Sequence, residues 1–353
     1  SVYTALTEFL ARRGRWSLLD AARDEHGGRL RLPDKYDCLF ATAQGKGIAW
    51  GSLGYGMWPP PLVNYLRGFE AITRKSRLAL TLETARAECG GGLPAELPSA
   101  LTAGDAVHGD DPWALCPQSF VFYPSRSKAA PFVLNAIRAA VEEQPGEAWI
   151  LKPSGGSKGD GISLSREWCE IVSILVGCVE RCKQGEKASA IVGQRYTSNP
   201  LLRSKGRRKF DIRVWVLVNA QRQAFLYSQG VARASSVSYD ESDLENRHAH
   251  LTNHCIAAEH ASYGQFEVGN EIWYDQLDAE LTERFPNVGG SVLRRVLLPQ
   301  IRRQVVQSLL SSRPLLLEAR SDYYKSFQLF GYDFLVDSCL RVWLCEINAS
   351  PAV

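Results

Sequence analysis

The sequence predicts an α+β fold in which antiparallel sheets are flanked by helices. Strand-type alternation of apolar residues is clearest in KFDIRVWVLV (209–218), QAFLYSQGVAR (223–233) and SFQLFGYDFLVD (326–337). Two further strand pairs are joined by short connections, at 147–164 and at 330–350, as antiparallel neighbours are. The third observation is helical spacing of apolar residues, which predicts helices at 3–12, 131–142, 167–182 and 293–312.

The chain of 353 residues is long enough for two or three packed lobes. We expect a small N-terminal lobe (1–73), a central lobe (74–196) and a C-terminal lobe (197–353). Within the first lobe, segment 62–74 is predicted to be helical. Segment 88–112 is rich in Gly, Pro and Ala without a recurring apolar pattern, so we expect a mobile surface insertion there.

Composition excludes some classes of protein. A net charge of +3 is too small for a typical nucleic-acid-binding protein, although it is compatible with an acidic protein partner. No apolar run reaches the length of a membrane helix, and no signal peptide is visible. Nine loosely spaced cysteines indicate free thiols in a reducing compartment. The missing initiator Met and the end directly after a strand-like segment lead us to expect that both termini are trimmed.

A glycine-rich loop lies within WILKPSGGSKGDGI (149–162). A P-loop requires G-x4-G-K-[ST] at the start of a helix, whereas strand-type residues follow this loop, so neither a Walker nor a Rossmann loop fits. The remaining phosphate-binding design is a glycine-rich hairpin folded over the phosphates, with Lys152 on the incoming strand and Lys158 in the loop. A plain flexible turn explains the same residues equally well.

The strand that begins at Lys209 separates its side chains into an apolar face and a charged face. Lys209, Asp211 and Arg213 lie on the charged face, followed by Trp215. A solvated surface is the ordinary explanation of such a face, but the tryptophan favours a lined cleft. The preceding run RSKGRRK (203–209) adds cations that would attract an acidic peptide or would simply be solvated.

The segment FGYDFLVDSCLRVWLCEINAS predicts a hairpin that carries candidate metal ligands. With a two-residue turn at Ser338–Cys339, Asp333 and Glu346 become diagonal neighbours on one face, about 7–8 Å apart, and Asn348 continues that face. Two carboxylates and an amide oxygen suit Mg²⁺, which commonly bridges carboxylates to nucleotide phosphates. A register change of one residue would place the two carboxylates on opposite faces.

Two other chemistries have weaker support in the sequence. His248, His250 and His254 form H-x-H-x3-H, which is compatible with zinc, but the H-E-x-x-H pattern is missing and the flanking residues are polar. No sequence feature singles out one cysteine as a nucleophile. We therefore expect neither a zinc site nor thiol catalysis.

Together, the motifs resemble one protein family. A glycine-rich lysine hairpin, K-F-D-I-R, H-L-T-N, F-G-Y-D-F and E-I-N-A-S-P occur in the order found in the tubulin–tyrosine ligase family, which has an ATP-grasp-like fold. SVYTALTEFL, LVNYLRGFEAITRKS, GVARASS and HLTNHCI resemble the members that add tyrosine. The resemblance covers most of the chain apart from about 22–50 and 88–112. Ala349-Ser350 departs from it, because tyrosine-adding members usually carry Gly-Ala there and glutamylases and glycylases usually carry Ala-Ser.

The resemblance implies a role for each matching residue. The residues implied in ATP phosphate binding are Lys75, Lys152 and Lys158. Those implied in the adenine hinge are Gln194, Arg195, Tyr196 and Thr197, and those beside the ribose and phosphates are His250, Thr252 and Asn253. Those implied in contacts with nucleotide, acceptor or amino acid are Lys209, Asp211, Arg213 and Arg233. The implied magnesium ligands are Asp333, Glu346 and Asn348.

The implied activity is an ATP- and Mg²⁺-dependent ligase that adds free tyrosine to the C-terminal glutamate of detyrosinated α-tubulin through an acyl phosphate. Glutamate or glycine ligation to tubulin is the alternative within the family, and an inactive tubulin-tail binding protein is the alternative outside enzymes. We expect a monomer that acts on the tubulin dimer in the cytoplasm, at the microtubule cytoskeleton, without nucleic-acid or membrane partners.

Overall fold

The computed structural model of the chain describes residues 2–19, 22–23, 30–41, 48–101, 111–125, 130–156, 159–317 and 321–352. The α-helices within these residues are α1 (Val2–Arg12), α2 (Glu70–Thr73), α3 (Lys75–Glu88), α4 (Ala130–Glu143), α5 (Trp168–Lys183), α6 (Arg247–His250), α7 (His254–Ala257), α8 (Tyr274–Arg284) and α9 (Leu298–Leu317). A π-helical turn at Leu293–Leu297 leads into α9. The helices predicted at 3–12, 131–142, 167–182 and 293–312 are therefore confirmed.

The strands within the same residues are β1 (Ala22–Arg23), β2 (Leu30–Arg31), β3 (Cys38–Leu39), β4 (Leu62–Val63), β5 (Ser119–Phe122), β6 (Trp149–Pro153), β7 (Ser163–Ser165), β8 (Ile191–Arg195), β9 (Phe210–Val218), β10 (Ala224–Ala234), β11 (Glu271–Trp273), β12 (Lys325–Ser326), β13 (Gln328–Val336) and β14 (Val342–Asn348).

Two antiparallel sheets dominate the described part of the chain. The larger sheet has the order β11-β10-β9-β13-β14, and the other has the order β5-β8-β6-β7. Every neighbouring pair within these two sheets is antiparallel. A small parallel sheet, β12-β4-β3, joins the N-terminal region to a segment near the end of the chain. The predicted α+β class with antiparallel sheets is confirmed.

The apolar face of β9 forms the centre of the larger core. Ile212, Val214 and Val216 are fully buried there, because this face of the sheet packs against the helical layer that includes α9. Ile301 and Val305 of α9 belong to the same core, as their helical spacing predicts. The apolar face of β9 and the apolar face of α9 thus belong to one common core.

A second core supports the four-stranded sheet. Helices α4 and α5 pack on this sheet, and Phe122, Trp149, Ile171 and Leu175 are almost completely buried between them. Strands β6 and β7 are antiparallel neighbours in this sheet, so the predicted strand–loop–strand at 147–164 is confirmed. Residues 157–158 of the connecting loop lie outside the described residues.

Segment 62–74 differs from its prediction. Its first residues form β4, which pairs with β3 and β12, and only Glu70–Thr73 are helical. Gly68 adopts a positive φ of 87°, and a Cβ there would lie 2.8 Å from the carbonyl oxygen of Leu315. A single helix through this point is thus prevented by a turn that only glycine accommodates.

Three further sequence predictions concern the insertion at 88–112, the cysteines and membrane-spanning helices. Part of the predicted insertion at 88–112 lies outside the described residues, because residues 102–110 are not among them. All nine cysteines lie in described segments and are free thiols, as their spacing predicts. Among the helices described, none combines the length and the apolar character that crossing a membrane requires.

Candidate active site

A cleft between the two antiparallel sheets collects most of the predicted site residues. Its empty volume is about 930 Å³, a figure that includes space open to solvent. The predicted residues that line it are Lys75, Lys152, Gln194, Arg195, Tyr196, Thr197, Lys209, Asp211, His250, Thr252, Asn253, Asp333 and Glu346. Arg213, Arg233 and Asn348 contact the lining carboxylates directly. Lys158 lies outside the described residues.

The carboxylate hairpin is built differently from its prediction. The connection is a three-residue loop, Ser338–Leu340, in which Leu340 has a positive φ of 63°. Asp337 stabilises this loop, because its Oδ1 accepts hydrogen bonds from the backbone N–H groups of Cys339 and Arg341 at 2.9 and 3.0 Å. The predicted two-residue turn, and the register derived from it, are therefore wrong.

A β-bulge lies between the loop and the carboxylates and shifts the register by one further residue. Phe334 pairs with Leu344, but the next pair is Asp333 with Glu346, so Cys345 is an extra residue. Without the bulge Asp333 would pair with Cys345 and Glu346 would face away. The bulge makes Asp333 and Glu346 direct cross-strand neighbours and also turns Cys345 into the cleft.

Asp333 is the centre of a buried charge network. Arg213 forms a bidentate pair with it, through a short Nε contact to Oδ1 and a 2.9 Å bond to Oδ2, and Arg233 lies 3.0 Å from Oδ2. Arg233 also binds Asp211 bidentately at 2.8 and 2.6 Å, and Thr252 donates to the same carboxylate at 2.6 Å. Burial opposes ionisation of Asp333, but the two arginines outweigh it and hold its pKa below the ordinary value.

The charged face of β9 is consequently not solvated. Lys209, Asp211 and Arg213 are each less than a tenth exposed, as is Trp215 on the same face. Cross-strand pairing places Arg213 opposite Asp333 on one side, and Asp211 opposite Arg233 on the other. The interpretation of this face as the lining of a cleft is the one that the geometry supports.

Three lysines converge on the cleft from different elements. Lys75, at the start of α3, lies 3.2 Å from Glu346 Oε2, and Lys152 on β6 donates to Gln194 Oε1 at 2.7 Å. Burial lowers the pKa of Lys152, and burial lowers the pKa of Lys209 to about 7. Buried ammonium groups without a full complement of carboxylates are costly, so this arrangement is suited to a polyanionic ligand.

The predicted hinge lies at the end of β8. Gln194 bridges Lys152 and the Ser119 hydroxyl, while the backbone N–H of Tyr196 donates to the carbonyl of Ala148 at 2.8 Å. Arg195 points outward, where it contacts Gln118 and Gln144 at the surface. Residues 194–197 therefore line one wall of the cleft, although the Arg195 guanidinium is engaged outside it.

Sequence reasoning missed the apolar lining of the cleft. The lining side chains of this kind are Ile150, Ile162, Leu251, Leu335 and Trp343. Three of them were detectable, because Ile150, Leu335 and Trp343 lie on strands two residues from Lys152, Asp333 and Cys345, and positions i and i+2 share one face. These residues offer the apolar surface on which a flat heterocycle packs.

The basic run at 203–209 is mostly not available to a partner. Arg203 forms an ion pair with Glu280 at 2.6 Å, and Arg208 binds Glu267 bidentately at 2.8 and 2.6 Å. Both arginines are buried, whereas Lys205 and Arg207 are exposed. The prediction that the whole run attracts an acidic peptide is therefore not supported by the geometry, because two of its cations are neutralised internally.

The histidine cluster does not form a zinc site. Both ring nitrogens of His250 are occupied, by the Tyr196 hydroxyl at 2.7 Å and by the Asp243 carbonyl at 2.8 Å. His248 contacts the carbonyl of Ile256 instead of turning toward His250. In the described part of the chain, no three His, Cys, Asp or Glu side chains are grouped to hold a metal ion.

The hairpin nevertheless has the donor set that magnesium prefers. Asn348 Nδ2 lies 3.1 Å from Asp333 Oδ2 and 3.3 Å from Glu346 Oε1, so the three side chains share one spot. Because the amide oxygen and nitrogen are interchangeable by a flip, the same residues can present oxygen to a cation. Two carboxylates and one amide oxygen beside phosphate-seeking lysines fit Mg²⁺.

Comparison with known proteins agrees with this arrangement. A sequence profile described as the tubulin-tyrosine ligase family matches residues 64–353. The chain is 34% identical to tubulin glycylase 3D of Tetrahymena thermophila over 210 residues, which are 58% of the chain and 19% of that protein. It is 32% identical over 214 residues (59% of the chain, 49% of the relative) to the probable alpha-tubulin polyglutamylase Ttll1 of the same organism.

A third relative, the probable tubulin polyglutamylase ttll-9 of Caenorhabditis elegans, is 31% identical over 207 residues, or 58% of the chain and 46% of the relative. The chain thus spans less than half the length of these curated relatives. The profile, in contrast, covers most of the chain, including both sheets and the cleft between them. The chain belongs to the tubulin-tyrosine ligase family, and its α+β architecture is the ATP-grasp-like fold of that family.

Proposed function

We propose that the chain is an ATP-dependent ligase that forms an amide bond between an amino acid and a carboxylate of the tubulin tail. The observation that carries this proposal is the meeting of three features in one cleft. Lysines for a polyanion, a carboxylate–amide group for magnesium and an arginine pair converge there from both sheets. Bound magnesium would supply neutralisation of phosphate charge at Asp333, Glu346 and Asn348.

The chemistry follows from the need to activate a carboxylate. An oxygen of the acceptor carboxylate attacks the γ-phosphorus of ATP, the bond to the β,γ-bridging oxygen breaks, and ADP leaves. The amine of the amino acid then attacks the carbonyl carbon of the acyl phosphate, loses a proton and expels inorganic phosphate. Lys75, Lys152 and Lys209 would hold the phosphates, so that catalysis is mainly positioning and charge neutralisation.

The two arginines are candidates for gripping carboxylates. Arg213 and Arg233 are less than a sixth exposed and lie on neighbouring strands with their guanidinium groups directed at Asp333. Guanidinium groups bind carboxylates bidentately, and Asp211 and Asp333 occupy them in this structure. An acceptor carboxylate that binds there would have to share these donors, and it would then lie beside the hairpin that we propose to hold magnesium.

For the amino acid, the proposal is tyrosine, transferred to the C-terminal glutamate of detyrosinated α-tubulin. Its support is the resemblance of SVYTALTEFL, LVNYLRGFEAITRKS and HLTNHCI to tyrosine-adding members. The first of these segments precedes the residues that the family profile matches.

Glutamate or glycine ligation is the second candidate. The relatives described above are glycylases and polyglutamylases by name, and Ala349-Ser350 follows the pattern usual in those enzymes. Both alternatives would use the same nucleotide and metal residues, so the difference lies in the amino-acid pocket and the acceptor. A glutamylase or glycylase joins its amino acid to a side-chain carboxylate rather than to the chain end.

The test is incorporation of labelled tyrosine, glutamate or glycine, one at a time, into carboxypeptidase-treated tubulin with ATP and Mg²⁺. We expect label from tyrosine only, and renewed carboxypeptidase treatment should release it because it sits at the chain end. Label from glutamate or glycine that resists carboxypeptidase would overturn tyrosine and establish the second candidate. ATP-dependent thermal stabilisation without any incorporation would instead indicate an inactive tail-binding protein.

A further inference from the structure

A chain of hydrogen bonds runs through the floor of the cleft and connects three predicted site residues. Lys209 Nζ donates to the Tyr196 hydroxyl at 2.8 Å, and that hydroxyl lies 2.7 Å from His250 Nδ1. The other ring nitrogen of His250 lies 2.8 Å from the backbone carbonyl of Asp243. Tyr196, Lys209 and His250 are all almost completely buried, so no water competes freely for these bonds.

Three side chains surround the Tyr196 hydroxyl: Lys209, His250 and Tyr239, whose own hydroxyl donates to the Ser198 carbonyl at 2.8 Å. A carbonyl oxygen only accepts, so His250 Nε2 carries a proton and donates to Asp243. Burial lowers the pKa of His250, which leaves Nδ1 unprotonated and able to accept from the Tyr196 hydroxyl. The lone pairs of the Tyr196 oxygen then face Lys209, whose Nζ also lies 4.2 Å from the centre of the tyrosine ring.

We infer that the Tyr196 hydroxyl, oriented by His250, is the group that positions Lys209 for the nucleotide phosphates. Neither residue then needs to touch the phosphates, and His250 has no free ring nitrogen with which to do so. The inference rests on the proposed function, because it takes the cleft to be the ATP site. It assigns Tyr196 a role distinct from that of an adenine-hinge residue, which would act through its backbone or ring.

Binding of ATP and of adenosine distinguishes these two roles of Tyr196, because the two ligands share adenine and differ in their phosphates. Tyr196→Phe removes the hydroxyl and keeps the ring. We expect MgATP binding, measured by titration calorimetry, to weaken about tenfold, since a hydrogen bond to a charged group is lost. Adenosine, measured by its displacement of ATP, should bind as it does to the unmodified protein.

The chain offers a matched control. The Tyr263 hydroxyl lies 3.2 Å from His254 Nδ1, which is the same type of pair but on the surface and outside the cleft. Tyr263→Phe should leave the affinities for ATP and adenosine unchanged. A second variant, His250→Leu, removes the group that orients the hydroxyl and should also weaken ATP binding while sparing adenosine.

The outcomes distinguish the inference from the function on which it rests. If the unmodified protein binds no ATP, the proposed function fails, and the inference fails with it. If the unmodified protein binds ATP and Tyr196→Phe binds it equally well, only the inference is overturned. Equal weakening of ATP and adenosine in Tyr196→Phe or in His250→Leu would also overturn it, because the hydroxyl would then act on the hinge.

Discussion

Proton uptake should accompany nucleotide binding, because Lys209 is held in a site that disfavours its charge. Burial lowers its pKa to about 7, Lys152 adds to this effect, and Cys345 and Asp211 oppose it. A bound polyphosphate returns the pKa toward the ordinary value of about 10.4. A group with a pKa near 7 is about half protonated at pH 7 and about one-tenth protonated at pH 8, so binding should take up roughly 0.5 and 0.9 proton respectively.

The direction of the pH effect follows from the linkage between proton binding and ATP binding. The complex holds more protons than the free protein, so raising the pH above about 7 weakens ATP binding, by roughly fivefold between pH 7 and pH 8. Below pH 7 this lysine contributes little pH dependence because it is already protonated in the free protein. Other titrating groups, including ATP itself, add their own protons, so the lysine is best isolated by comparing two proteins.

Calorimetric titration in two buffers of different ionisation enthalpy measures the number of protons taken up. Lys209→Arg is the matched variant, because arginine keeps the positive charge at every accessible pH and has no proton to gain. We expect its uptake at pH 8 to be lower than that of the unmodified protein by about 0.9 proton. Equal uptake by two folded proteins, judged by thermal melting, would refute the assignment of the titration to Lys209.

Three further predictions concern the hairpin and the sheet that carries it. Glu346→Gln should abolish amino-acid incorporation while leaving thermal stability near that of the unmodified protein, and near-normal turnover would contradict its place at the metal. Asp333→Asn leaves the buried Arg213 and the partly buried Arg233 without their shared charge, so urea titration should show a loss of about 3–5 kcal/mol; an unchanged midpoint would disprove the network. Gly230→Ala would place a Cβ 2.4 Å from the Tyr274 ring and should cost about 1–3 kcal/mol, whereas Gly177→Ala, with no atom within 4 Å, should stabilise α5 by roughly 0.5–1 kcal/mol. Equal melting temperatures for the two alanine variants would contradict this packing.

Prediction from the sequence succeeded where a local pattern determines the outcome. The alternation in β9 separates an apolar face from a charged face, and the helical spacing around Ile301 predicts α9, because burial of one face requires these periods. It failed at segment 62–74, where apolar spacing resembles a helix but tertiary pairing of β4 and the turn at Gly68 prevail. Helical propensity there is a weaker influence than the contacts the chain makes with distant segments.

The carboxylate pair shows a correct conclusion reached through an incorrect register. Counting back from the turn cannot detect a bulge, because the extra residue Cys345 has no distinctive sequence signal of its own. Two features that the count omits compensate each other: the turn is one residue longer than predicted, and the bulge inserts Cys345. Together they shift the register by two residues, so Asp333 and Glu346 stay on one face. The sequence was nevertheless informative, since two carboxylates in an apolar hairpin require partners.

The sequence by itself determined the fold class, the family resemblance and the residue types that could serve a nucleotide and a metal, because periodicity and motif order are local properties. Only the tertiary structure decided which charges are available. Arg203 and Arg208 carry the same charge as Lys209, yet Glu267 and Glu280 neutralise them. His250 matched a nucleotide motif, yet its nitrogens are engaged by Tyr196 and Asp243. Neutralisation and hydrogen bonding depend on partners distant in sequence, and folding alone brings those partners within reach.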